Sequence, residues 1–271
     1  MSHIAESACP PRPGERSPLA RTPGLIIPSR FRGPSRSGNG GYVCGRIAAY
    51  ADGPATVTLR RPPPLARPMA VEQGDDRSLR ILDGCTLIAE ATPSPGPPAV
   101  EIPRPVSMAE ACMAAGRAPY FQDPIFPHCF VCGMSRLPGD GLRIFPGPVP
   151  GRAVWAAPWT PDSSVAGTDG RVRPEVVWAA LDCPSGIAAA EDACLGKDTA
   201  IVLGRMTASL AMLPAPGDQC RVIAWPGGGE GRKLTAGSAL LGPAGEVAAV
   251  AWTVWITTPR PVPTLAGDEA S

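Results

Sequence analysis

Histidine is nearly missing from this chain, which contains only His3 and His128 among its 271 residues. His3 lies in a stretch rich in Pro, Arg and Ser that we expect to be disordered. A Ser–His–Asp or Cys–His mechanism, or an Asp–His hydratase pair, would therefore have to use His128. A zinc site built from several histidines is excluded.

The sequence also lacks the features of membrane, secreted and nucleic-acid-binding proteins. It has no run of about 18 apolar residues, so we expect no membrane span, and its N-terminus lacks the apolar core of a signal peptide. A net charge of +1 gives no reason to expect a nucleic acid partner. Nine scattered cysteines, an odd number without a disulfide framework, indicate reduced thiols. We expect a soluble, cytoplasmic protein.

What the sequence does contain is a short apolar helix followed by strands, twice over. In the first half, a turn at Asn39-Gly40-Gly41 leads into a helix of small residues. Three strand-like runs follow, two of them joined by an Asp-Gly turn, at Thr56–Leu59, Leu79–Leu82 and Cys85–Ala91. A proline-rich stretch from Thr92 to Pro105 then gives way to a short helix over Ser107–Ala118.

The second half repeats this order. Strand-like runs at Gly141–Phe145 and Ala153–Ala157 precede a helix that starts at Pro174 and is expected to bend at Pro184. Four more runs with strand character follow, at Ile201–Leu213, Gln219–Trp225, Lys233–Leu241 and Glu246–Thr257. One helix for each antiparallel sheet, used twice, predicts an α+β architecture that arose by internal duplication.

This plan resembles the hotdog fold, and the fused pair resembles the acyl-CoA thioesterase II family over roughly residues 24–258. The most specific part is Trp178-Ala179-Ala180-Leu181-Asp182, because the family carries a catalytic Asp on this helix. The resemblance implies two fused hotdog repeats, each a curved antiparallel sheet wrapped around a central helix. The repeats would span 24–118, with the proline-rich linker, and 119–262, between disordered tails at 1–23 and 263–271.

The resemblance also implies a reaction, namely hydrolysis of acyl-CoA or another acyl thioester without a metal or redox cofactor. Asp182 would orient or deprotonate the attacking water, and Thr207, on a strand a similar distance after Asp182 as in the family, would stabilise developing charge. The family's catalytic Gln on the final strand is replaced here by Trp252, next to Thr253, and both are expected to contact substrate. Pairing into a homo-oligomer is compatible with this plan, but no feature of the sequence supports it.

Asp182 admits a second interpretation. It is the only charged residue between Glu175 and Glu191, in an otherwise apolar helix, and a buried carboxylate is costly unless it is paired, hydrated or protonated. A catalytic role would explain that placement, but Asp182 would also serve as the cap of a second helical piece that restarts at Pro184.

Two other motifs also leave alternatives open. Asn39, Gly40 and Gly41 would either present N–H groups to a thioester oxygen or a CoA phosphate, or form only a tight turn. His128, Cys129 and Cys132 lack a well-spaced fourth metal ligand, so we expect a buried turn and no metal. The alternative to an enzyme is a non-catalytic hotdog protein that binds acyl-CoA or lipid.

Overall fold

The structure, a computed structural model, describes residues 21–51 and 53–261. The tails that are predicted to be disordered therefore lie outside the described residues, except for residues 21–23, which belong to the first strand.

Helices are few in the described part of the chain, and most of the regular structure is strand. The α-helices are α1 (Gly40–Ala48), α2 (Met108–Ala114) and α3 (Pro174–Asp192). The strands are β1 (Arg21–Ile26), β2 (Ala55–Leu59), β3 (Pro68–Gln73), β4 (Leu79–Asp83), β5 (Thr86–Pro93), β6 (Gly147–Pro148), β7 (Trp155–Trp159), β8 (Thr199–Leu210), β9 (Cys220–Glu230), β10 (Lys233–Leu241) and β11 (Val247–Pro259).

These strands form one antiparallel sheet in the order β1-β3-β4-β5-β2-β8-β11-β10-β9-β7-β6. The strand order within the first half, β1-β3-β4-β5-β2, has the same pattern as β7-β9-β10-β11-β8 in the second half. The halves meet where β2 pairs with β8, with Val57 opposite Met206. In each half the helix lies in sequence between the first and second strands of that pattern.

The main core lies between the sheet and the two helices α1 and α3, which also pack against each other. Helix α3 contacts strands β8 to β11, and its apolar residues from Val176 to Leu181 are buried. Because α1 carries only Arg46 and α3 carries only Asp182 between its charged ends, both helices bury most of their surface, as helices at the centre of a domain do.

A second, smaller apolar cluster covers the other face of the sheet in the second half. It joins Val106 and Ala111, from the region of α2, to Ile223 and Trp225 of β9. Helix α2 carries a capping box, in which the Ser107 hydroxyl and the Glu110 carboxylate bond each other's backbone N–H. It packs against β7, so the segment after the first five strands crosses to the second half.

Several sequence predictions need correction. Gly141–Phe145 is not a strand of the sheet; it runs beside the loop before it, where the N–H groups of Leu142 and Ile144 donate to the carbonyls of Phe130 and Val131. Strands β1 and β3 were not predicted. Cys85 is in a disulfide, so the expectation of uniformly reduced thiols is wrong there, whereas the other cysteines of the described residues are free.

No helix within the described ranges combines the length and the apolar character that crossing a bilayer requires.

Candidate active site

The start of helix α1 is organised by Asn39. Its side-chain oxygen accepts a hydrogen bond from the backbone N–H of Tyr42 (2.9 Å), which makes it the N-cap. Its amide nitrogen donates to Oδ2 of Asp182 on helix α3 (2.8 Å). Because the oxygen is engaged by an N–H group, the nitrogen end must face the carboxylate. Asn39 therefore ties the beginning of one helix to the middle of the other.

Two glycines let the helices approach closely. A Cβ atom on Gly41 would lie 2.4 Å from the Cβ of Asp182, and one on Gly45 would lie 2.6 Å from the Cα of Glu175. Because no real side chain tolerates such distances, both positions require glycine. The close approach allows the backbone N–H of Gly41 to donate to Oδ2 of Asp182 (2.9 Å).

Asp182 is 2% exposed and receives both of these hydrogen bonds on one oxygen. Its other oxygen, Oδ1, is buried and has no hydrogen-bond partner among the residues that the structure describes. Burial raises the pKa of this carboxyl to about 7; the Gly41 N–H opposes that shift, the nearby Cys129 adds to it, and Asn39 opposes it. A carboxyl with this pKa exchanges a proton near neutral pH.

Helix α3 continues without a break past Asp182 as far as Asp192. Pro184 has no N–H group, so it removes one bond from the helical ladder. Hydroxyl groups bond carbonyls nearby: Ser185 donates to the carbonyl of Asp182 (2.7 Å), and Ser238 of β10 donates to that of Leu181 (2.7 Å). The alternative that Asp182 caps a second helical piece is therefore wrong; its side chain instead bonds α1.

A cavity of about 1230 Å³ lies beside Asp182. Its wall includes Asn39 and Gly40 at the start of α1, Asp182 on α3, and apolar side chains such as Leu203 and Phe126. The rim carries three exposed cations, Arg36, Arg61 and Lys197, for which the described residues provide no ion-pair partner. The cavity thus joins an apolar interior, a buried carboxyl group and a positively charged entrance.

Four cysteines also line this cavity, and three of them, Cys129, Cys132 and Cys183, lie together as a cluster, whereas Cys194 is outside it. The sequence pattern singled out Cys129 and Cys132 together with His128, but His128 is exposed and does not belong to the cluster. Cys183 completes it. The only sequence signal for Cys183 was its place next to Asp182, because nothing in the chain order links it to a loop far before it.

The other predicted site residues lie elsewhere. Thr207 alternates with the buried Met206 and Ala208, so its side chain points to the opposite face of the sheet. There it shares a hydrogen bond with Thr56 (2.7 Å) and lines, with Trp252, a second pocket of about 920 Å³.

Thr253 is fully buried behind helix α3. Its hydroxyl lies 3.0 Å from that of Ser185 and donates to the carbonyl of Ala236 (3.0 Å). The structure thus brings Asn39, Gly40 and Gly41 to Asp182, and does not bring Thr207 or Trp252 there. Thr253 does not line the cavity; its hydroxyl bonds Ser185 and accepts from Nε1 of Trp255 (3.0 Å), which does line it.

Comparison with solved structures identifies the fold. A TesB protein of Mycobacterium avium subs paratuberculosis superposes on 90% of this chain and 96% of its own, with a TM-score of 0.54 and 14% identity. The chain has the hotdog fold. At this identity the likeness concerns the fold alone, and at that level it confirms the predicted resemblance to hotdog proteins.

Smaller hotdog proteins match parts of the chain. A thioesterase of Haemophilus influenzae covers 48% of this chain and 87% of its own, with a TM-score of 0.41 and 14% identity. A Streptococcus mutans protein bound to acetyl CoA covers 41% of this chain and 86% of its own, with a TM-score of 0.36 and 9% identity. No protein-family model matches the sequence, and no curated protein does.

Proposed function

We propose that this protein hydrolyses acyl-CoA or another acyl thioester in the cavity beside Asp182. The observation that carries the proposal is the state of that side chain. Asp182 lines the cavity and is buried; one carboxylate oxygen is held by two donors, and the other is buried without a partner among the described residues. An unpartnered buried oxygen is costly for the fold. A role in orienting a reacting water accounts for that cost.

The reaction proceeds by attack of water on the thioester carbonyl carbon. Oδ1 of Asp182 accepts a proton from the water while the new C–O bond forms, and the C–S bond then breaks. The leaving thiolate takes up the proton, which gives a carboxylic acid and a free thiol and returns Asp182 to its starting state. The Oδ2 atom stays bonded to Asn39 and Gly41 throughout.

Negative charge on the carbonyl oxygen needs a donor close by. Gly40 is the first residue of α1, so its N–H has no partner within the helix, and Gly40 lines the cavity. We assign the stabilisation of the oxyanion to this N–H and to the positive end of α1. Thr207, which lies on the far face of the sheet, is not assigned to the reaction.

The substrate class follows from the two ends of the cavity. Apolar walls near Leu203 accommodate an acyl chain, and the exposed cations Arg36, Arg61 and Lys197 at the rim suit the phosphate groups of CoA. A free fatty thioester without phosphates would leave those cations unused.

We also propose that the two halves of the sheet are two fused hotdog repeats, divided as 24–118 and 119–262. The support is the repeated strand order and the position of one helix within each repeat. The proposed site then draws Asn39 from the first repeat and Asp182 from the second.

The test is release of free thiol from a panel of acyl-CoAs of different chain lengths, using the wild type, Asp182→Asn and a matched control. Glu191→Gln is that control, because Glu191 lines the same cavity but its oxygens accept from Trp155 (2.7 Å) and from the N–H of Tyr120 (3.3 Å). We expect kcat to fall on the order of 10²-fold or more in Asp182→Asn and to change little in Glu191→Gln. Binding of acyl-CoA without turnover by the wild type would instead favour a non-catalytic binding protein.

A further inference from the structure

The loop Cys129-Phe130-Val131-Cys132-Gly133 is a tight turn that carries two of the three cysteines. The N–H of Gly133 donates to the carbonyl of Cys129 (2.9 Å), and a Cβ atom on Gly133 would lie 2.3 Å from that same oxygen. The turn places the Sγ atoms of Cys129 and Cys132 within 4.8 Å of each other. Two sulfur atoms this close can bind the same metal ion as thiolates.

The turn is held firmly in place against helix α1. The ring of Phe130 lies edge-on to Phe31 (4.9 Å between centroids), which stacks on Tyr42 of the helix (3.9 Å). The N–H of Phe130 also donates to the carbonyl of Arg32 (2.7 Å). Both cysteines of the turn are therefore presented from a rigid frame.

Helix α3 supplies a third sulfur atom. The Sγ of Cys183 lies 3.6 Å from that of Cys129, and the Sγ atoms of Cys129, Cys132 and Cys183 all lie within 4.8 Å of one another. The amide nitrogen of Asn39 is directed at Cys183 (3.6 Å) as well as at Asp182. Three segments that are distant in the chain thus converge on one point of the cavity wall.

These distances match those of a metal site. A tetrahedral zinc ion with Zn–S bonds of about 2.3 Å places its sulfur ligands about 3.8 Å apart. The observed Sγ–Sγ distances are 3.6 Å between Cys129 and Cys183 and at most 4.8 Å for the other pairs. They need to change by only tenths of an ångström to about an ångström to reach that separation. Thiolate ligands also select soft or borderline cations over Mg²⁺ or Ca²⁺.

We infer that Cys129, Cys132 and Cys183 bind a Zn²⁺ ion whose fourth position opens onto the cavity beside Asp182. Among the described residues, no further His, Cys, Asp or Glu side chain completes the group, and all three sulfurs border the cavity. Three protein ligands with one open position are typical of catalytic zinc sites, whereas structural sites are closed by four. On binding, three Zn–S bonds replace three S–H bonds, and three protons pass to solvent.

The test uses Co²⁺ as the probe, because tetrahedral thiolate coordination of Co²⁺ produces sulfur-to-metal charge-transfer absorption. The full chain carrying Cys112→Ser and Cys194→Ser, which removes two exposed thiols, is stripped with a chelator under a reducing agent and titrated with Co²⁺. We expect the charge-transfer band to saturate at a single Co²⁺ per chain, and added Zn²⁺ to abolish it.

In that background, Cys129→Ser and Cys183→Ser should each weaken Co²⁺ binding on the order of 10²-fold or more, because each removes a ligand. Cys44→Ser is the matched control, since Cys44 is buried outside the cluster, and should leave the titration unchanged. Thermal melts show whether each variant is folded; Cys183, which is only half-buried, is the variant to rely on if Cys129→Ser fails to fold.

A missing charge-transfer band, or a band that survives Cys183→Ser, overturns the inference. Binding of Cu⁺ with no binding of Co²⁺ or Zn²⁺ overturns the assignment to zinc. None of these readouts involves thioester hydrolysis, so the metal site and the proposed function succeed or fail separately.

Discussion

Helices α1 and α3 hold equivalent places in the two halves of the sheet but bring opposite chemistry to the site. Helix α1 has a capped N-terminus with Gly40 as its first residue, and it contains no carboxylate. Helix α3 starts with Pro174, has no side-chain cap, and carries Asp182 at its centre.

The reverse combination, N–H donors from α3 with a carboxyl group on α1, is missing, because Pro174 has no N–H and α1 has no acid. Helix α1 thus supplies the N–H donors and the positive end of a helix dipole, and helix α3 supplies the carboxyl group. The two helices, although equivalent in position, therefore support one site of this type between them.

Among the variants that test this division of roles between α1 and α3, Gly41→Ala is expected to have the largest effect. The added methyl group would meet Asp182, so the two helices must separate, at a cost of about 3 kcal/mol in the free energy of unfolding. Displacement of Asp182 from α1 should also lower kcat on the order of 10²-fold. Urea denaturation and the thiol-release assay measure the two effects.

The matched control for that substitution is Gly45→Ala, which meets Glu175 and Trp178 instead of Asp182. It should destabilise the fold to a similar extent and reduce kcat much less. Equal losses of activity in both variants would show that the gap between the helices, and not contact with Asp182, sets the rate.

The next effect concerns the dependence of stability on pH in metal-free protein. Asp182 has a pKa of about 7 when folded and an ordinary low pKa when unfolded, so the folded state binds the proton more tightly. The contribution of the protonated carboxyl to stability is complete below the unfolded pKa and is lost as the pH rises through about 7. We expect a loss of a few kcal/mol at most between pH 4 and pH 8.

Asp182→Asn should remove that part of the pH dependence and be the more stable protein at pH 8. The measurement is urea denaturation of both proteins across this pH range, compared as a difference so that other groups cancel. A wild type that matches Asp182→Asn at every pH would show that Asp182 titrates normally.

A smaller effect is expected at the donor side of the site. Asn39→Ala removes the cap on Tyr42 and the bond to Asp182, which should cost about 1 kcal/mol in stability and reduce kcat about tenfold. Asn39→Asp keeps a capping oxygen but places a second carboxyl group against Asp182. Because two carboxylates repel, it should lose more stability at pH 8 than at pH 5. Equal losses at both pH values would contradict this contact.

The smallest effect is expected on the far face of the sheet. Thr207→Val removes the hydrogen bond to Thr56 and should change kcat by no more than about twofold. A tenfold or larger loss of kcat in the thiol-release assay would show that Thr207 takes part in the reaction, as the sequence resemblance implied.

Sequence reasoning predicted those parts of the molecule whose structure is determined by the local sequence pattern. Helix α3 was predicted because a proline precedes a long apolar run, and β10 was predicted at Lys233–Leu241 with its observed bounds. Strand β3 was not predicted, since it begins with Pro68, which cannot donate a hydrogen bond to a neighbouring strand. Asp182 was singled out only because burying a carboxylate in an apolar helix costs free energy.

The parts that were missed depend on contacts between distant segments. Asn39 was singled out for its turn, but its bond to Asp182 joins residues far apart in the chain and has no local signature. Cys183 meets Cys129 only after α3 docks against the loop. Thr207 was assigned to the reaction from its distance along the chain after Asp182, but that distance does not say which face of β8 meets the helices.

The bond between Asn39 and Asp182 has a consequence for how this polypeptide can be divided. If the gene were divided within the proline-rich stretch from Thr92 to Pro105, one fragment would contain Asn39 and the other would contain Asp182. Neither fragment alone would hold both, and mixing them would restore the pair only if β2 and β8 found each other again. Covalent linkage of the two halves therefore ensures that each Asn39 is made together with an Asp182 in the same molecule.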